Sequence, residues 1–115
     1  MIVVSDTSPI SNLIVIGKLS LLQKVFGTIV IPESVYAEIK ALQKFNFNLI
    51  EFTSASWIIK EAIHDTATYQ KLVAKVDEGE AQAITLAKEL HPDFLLIVKR
   101  KAEPLQKKWE LKPSG

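Results

Sequence analysis

Cysteine is absent from the 115 residues, which removes disulfides, thiolate zinc sites, iron–sulfur clusters and thiol nucleophiles. Glycine and proline are scarce, at four and five residues, while 48% of the chain is apolar. That profile excludes a disordered linker and points to one folded domain over residues 1–115. No uncharged apolar run reaches the roughly 18 residues a membrane span needs. The opening Met-Ile-Val-Val-Ser-Asp carries no basic lead, so no signal peptide is expected. A cytoplasmic protein without membrane contact is the expectation. The glycine patterns that cradle phosphates, G-x-G-x-x-G and G-x-x-x-x-G-K, do not occur, nor does the G-x-S-x-G elbow of serine hydrolases. His64 and His91 lack metal-ligand spacing.

Charge of either sign is nearly balanced overall, at +1, so no global field drives nonspecific binding to nucleic acid. The balance hides an asymmetry. From Val98 to the end, six basic residues face two acids, whereas the body of the chain is net acidic. Lys99, Arg100 and Lys101 head the basic end and are candidate contacts for nucleic-acid phosphates.

Short apolar runs alternate with amphipathic segments. Ile2–Ser5 reads as a strand buried on both faces. Ser8-Pro9 reads as a helix start, with Ser8 as N-cap, leading a helix that closes at Gly17. A second short helix ends at Gly27, Thr28–Ile31 is the next strand, and Val35, Ile39 and Leu42 mark a third helix. Asn46–Ser56 is the least periodic stretch and predicts a loop or an edge strand ahead of Trp57-Ile58-Ile59. Thr66–Val76 and Gly79–Leu90 read as helices, Phe94–Val98 as a further strand, and the segment from Lys99 as a basic helix. Together these predict an α/β fold, a three-layer α/β/α sandwich around a mainly parallel sheet. Ligands of such sheets bind beyond the C-terminal strand ends, and Asp6 lies at one of them.

Three acids stand where apolar residues would be expected. Asp6 follows the first buried strand, Glu38 shares the stripe of Val35 and Leu42, and Glu80 precedes Ile84 by one helical turn. Each also has a purely structural explanation. Asp6 can end the strand and cap a helix, Glu38 can reach solvent along its stem, and Asp77-Glu78-Gly79-Glu80 forms a D-x-x-E capping box. Clustered, the three carboxylates would repel one another unless a cation lay between them.

The order of motifs adds to this reading. Val3-Val4-Ser5-Asp6-Thr7-Ser8-Pro9, the Ile16-Gly17-Lys18-Leu19 turn, Ile31-Pro32-x-x-Val35-Tyr36-Ala37-Glu38, Asp77-Glu78-Gly79-Glu80-Ala81-x-Ala83-Ile84 and Leu95-Leu96-Ile97 closely resemble the PIN-domain family. The branch resembled is that of small prokaryotic proteins related to the VapC-type toxins of toxin–antitoxin pairs. The resemblance implies a metal-dependent endoribonuclease in which Asp6, Glu38 and Glu80 bind Mg²⁺ or Mn²⁺ and act catalytically, with Thr7 and Ser8 as donors that orient them. It further implies an RNA substrate, an antitoxin-like protein partner and a homodimer. Two departures stand out: Val98 and Lys99 occupy the place of the family's late acids, and the chain stops where relatives continue into a closing strand and helix. The first predicts weakened metal binding and the second an incomplete domain. The alternative is a catalytically inactive scaffold that serves as a protein-binding or dimerisation module.

Overall fold

A computed structural model describes residues 1–98; Lys99, Arg100, Lys101 and the expected basic helix lie outside the described residues. Four parallel strands form one sheet in the order β3-β2-β1-β4, with β1 at Val3–Ser5, β2 at Ile29–Pro32, β3 at Ile58–Glu61 and β4 at Phe94–Leu96. Val4 pairs with Val30 on one side of β1 and with Leu95 on the other. Parallel neighbours require crossovers, and helices supply them on both faces.

Side-chain alternation sorts the core into two layers. Val3, Ile29 and Ile31 face a cluster with Ile10, Leu19, Leu22, Val35, Ile39 and Phe52. These come from α1 (Thr7–Val15), α2 (Ser20–Phe26), α3 (Glu33–Lys40) and the short α4 (Ile50–Thr53), with Leu19 just ahead of α2. Val4 and Val30 face the opposite way, onto Ala83 and Leu86 of α6 (Glu78–Leu90), and α5 (Thr66–Val73) packs against α6. The sandwich expected from the sequence is therefore present.

Several local expectations change. Asp6, not Ser8, is the N-cap of α1: its side chain accepts a hydrogen bond from the Thr7 amide at 2.7 Å. Pro9 falls in the first turn, where its missing N–H costs nothing. The stretch 46–56, expected as a loop or an edge strand, contains α4, and the neighbouring strand begins at Ile58. Phe52 anchors α4 with its ring 5.0 Å from that of Tyr36, and the Lys60 ammonium lies over the Tyr36 ring at 4.5 Å. Gly27 closes α2 with φ 80°, a conformation that favours glycine.

Glu89 of α6 reaches across to accept the amides of His64 and Asp65, both at 2.7 Å. This clamps the start of α5 onto α6. Glu89→Ala should lower stability by about 1 kcal/mol, since water can reach the released amides in part; a melting temperature equal to wild type would show that the clamp contributes nothing.

Candidate acidic site

The end of β1 delivers Asp6 to the C-terminal edge of the sheet. The residue is 7% exposed, because β4 runs alongside and its Leu96 carbonyl accepts the Asp6 amide at 3.0 Å. Thr7 braces two carboxylates at once. Its amide donates to Asp6 Oδ1, and its hydroxyl donates to Glu38 Oε1 at 2.8 Å. The expectation that Glu38 shares the inward stripe of α3 is corrected. Val35 and Ile39 are buried while Glu38 is exposed, flanking that stripe and turned towards α1, which packs on α3.

The third side of the site is the first turn of α6. Asp77 is its N-cap, accepting the Glu80 amide at 3.0 Å, as the capping box predicts. Gly79 lies between them, and a Cβ built there would stand 3.1 Å from Asp6 Oδ1, 3.1 Å from Glu38 Oε1 and 3.4 Å from Thr7 Oγ1. Two carboxylates from separate elements thus meet over a residue without a side chain. A cleft of about 460 Å³ opens beside them, lined by Ser34, Ala37, Glu38, Asp77, Glu78 and Gly79.

Burial is the largest influence on the Asp6 carboxyl and raises its pKa above the ordinary 3.8. The Thr7 amide pulls the other way, and the charges of Asp77, Glu80 and Glu38 add repulsion that raises it further. Four acids therefore share one electrostatic neighbourhood. Asp77 repels Asp6 more strongly than the two acids singled out from the sequence, and its capping role had been explanation enough for its presence. Glu78 is drawn aside, with Oε2 accepting from the Tyr69 hydroxyl at 3.2 Å.

Sequence reasoning also missed Ser34 and Gly79. The Ser34 hydroxyl oxygen is buried and has no hydrogen-bond partner among the described residues, although its residue lines the acidic cleft. Ser8 contributes its carbonyl to Ser11, at 3.4 Å, whereas both hydrogen bonds to the carboxylates come from Thr7. A larger cleft of about 750 Å³ between the end of α1 and α4 is lined by Ile14, Val15, Ile16, Ile50 and Phe52, with Glu51 as its one ionisable residue among the described residues. Among the described residues, it brings no two acids together.

Among the described residues, no three His, Asp or Glu side chains are grouped tightly enough to form a ready-made metal cage. The donor set nevertheless fits a small hard cation. Mg²⁺ is commonly held by one or two carboxylates with its remaining positions filled by water and substrate phosphate, and the Asp6–Glu38 pair with open space over Gly79 offers that arrangement. A family model described as a PIN domain matches residues 2–115. No curated protein and no solved structure matches the chain.

Proposed function

The chain belongs to the PIN-domain family, and from that membership we propose that it is a metal-dependent endoribonuclease of the toxin type found in toxin–antitoxin pairs. The observation that carries the proposal is the convergence of Asp6 Oδ1 and Glu38 Oε1 on the same space over Gly79. Members of the family generally use divalent metals. Mg²⁺ or Mn²⁺ bound here would neutralise phosphate charge and lower the pKa of an attacking water.

The chain's own residues prepare that chemistry. Asp6 is fixed by the cap it forms and by burial, so its carboxylate enters the site with little orientational freedom to lose. Glu38 is steered by the Thr7 hydroxyl. Glu80 supplies a third negative charge from the first turn of α6. Lys99, Arg100 and Lys101 follow closely after β4 in sequence and would neutralise the RNA backbone, which makes RNA binding fall steeply with salt. An antitoxin-like protein and a second copy of the chain are the partners in this reading.

The test is cleavage of a single-stranded RNA by the purified chain with Mn²⁺ and with chelator. Cleavage only with metal supports the proposal. RNA left intact by a chain that also binds no Mn²⁺ would favour the inactive scaffold, a reading supported by Val98 at the place of an acid in the resembled pattern. Because the Asp6 amide bonds to the Leu96 carbonyl, the backbone leading to Val98 starts beside Asp6. Val98→Asp should therefore tighten Mn²⁺ binding by about tenfold, as added ligand charge does in other oxygen-donor sites. Unchanged affinity in a calorimetric titration would show that position 98 does not face the cation.

A further inference from the structure

Glycine within a helix costs about 0.5–1 kcal/mol relative to alanine, because it has the most backbone freedom to lose. Gly79 is nevertheless the second residue of α6. Its backbone gives no reason for this, since the positive-φ glycines are Gly17 and Gly27. The reason lies in what surrounds the missing Cβ. The three nearest atoms are all oxygens, and all belong to Asp6, Glu38 and Thr7.

A methyl group at 3.1 Å from two carboxylate oxygens would force those oxygens to yield by a few tenths of an ångström. Neither can yield without consequence. Asp6 Oδ1 accepts the capping bond from the Thr7 amide, and Glu38 Oε1 accepts from the Thr7 hydroxyl. The displacement therefore falls first on the geometry of the acidic site. Small hard cations respond sharply to such shifts, because Mg²⁺ demands near-ideal octahedral geometry at short metal–oxygen distances and retains several waters.

We propose that Gly79 is a positioning residue of the cation site: its lack of a side chain keeps open the space that the Asp6 and Glu38 carboxylates, the cation and its waters must share. This rests on the metal-dependent reading given above. It extends that reading to a residue that bears no ligand atom in its side chain.

The experiment compares the full chain with Gly79→Ala by calorimetric titration with Mn²⁺ and by thermal melting in chelator. Wild type should bind Mn²⁺, and the alanine variant should bind about 10- to 100-fold more weakly, the usual cost of disturbing the groups behind metal ligands. In chelator the variant should melt close to the wild-type temperature, because the better helix propensity of alanine offsets the strain placed on the Thr7 hydrogen bonds. A glycine required for packing would give the opposite, weaker binding together with a lower melting temperature in chelator, and that result would overturn the proposal. So would Gly79→Ala binding Mn²⁺ with full wild-type affinity. A wild-type chain that binds no Mn²⁺ would remove the metal reading itself and this inference with it.

Discussion

Asp6→Asn should reduce metal-dependent RNA cleavage by about 100-fold or more, since losing a ligand removes several kcal/mol of charge stabilisation and each 1.36 kcal/mol is worth a factor of ten. The same substitution should make the metal-free protein more stable. Burial and three neighbouring acids disfavour the ionised form of Asp6 in the folded state, raising its pKa above 3.8. Below 3.8 the carboxyl is neutral in both folded and unfolded chains and costs nothing. As the pH rises through the raised value, the unfolded chain ionises freely while the folded one resists, and stability falls. Asparagine removes the charge and still caps α1, being as good an N-cap as aspartate. Melting in chelator at pH 7 should therefore favour the variant, with the advantage vanishing in acid. Loss of cleavage accompanied by a lower melting temperature would instead mean that Asp6 is a structural residue. Saturating Mn²⁺ should reverse the order, since ligand at about 100 times its dissociation constant stabilises the wild type by about 2.7 kcal/mol.

Phe52→Ala carries the largest expected effect on stability. The ring is 2% exposed and joins the main core cluster, in a helix of only four residues that could not persist without it. Truncating a buried phenylalanine costs about 3–5 kcal/mol, a large share of the 5–15 kcal/mol typical of a whole domain. At roughly 4–8 °C per kcal/mol, the melting temperature should fall by about 12 °C or more. A fall of about 1 °C would mean that α4 does not seal the core.

Legibility in the sequence followed the strength of local signals. Val3 and Val4 announced β1 because a strand buried on both faces has no polar alternation to confuse it. Asp77 announced α6 because its capping chemistry is local. The segment 46–56 gave no period because α4 is a single turn whose one buried residue is Phe52, and β3 hides among exposed residues at the sheet edge. Asp6 was recognisable from its place after a buried strand. Glu38 was found for an incorrect reason: spacing put it on the inward stripe, whereas a hydrogen bond from Thr7, 31 residues earlier, sets its direction. The parts of the site that went unseen, Asp77, Gly79 and Ser34, are brought together by packing of α3 and α6, a long-range contact that no window of sequence contains. Among the described residues no helix is long and apolar enough to cross a membrane, in keeping with the absence of long apolar runs.

Calorimetric titration of the wild-type chain and Asp6→Asn with Mn²⁺ tests the central claim most directly. Saturable binding by the wild type that is abolished in Asp6→Asn is the predicted result. Absence of binding by the wild type at millimolar Mn²⁺, or equal binding by both proteins, would contradict a cation site built on Asp6 and Glu38.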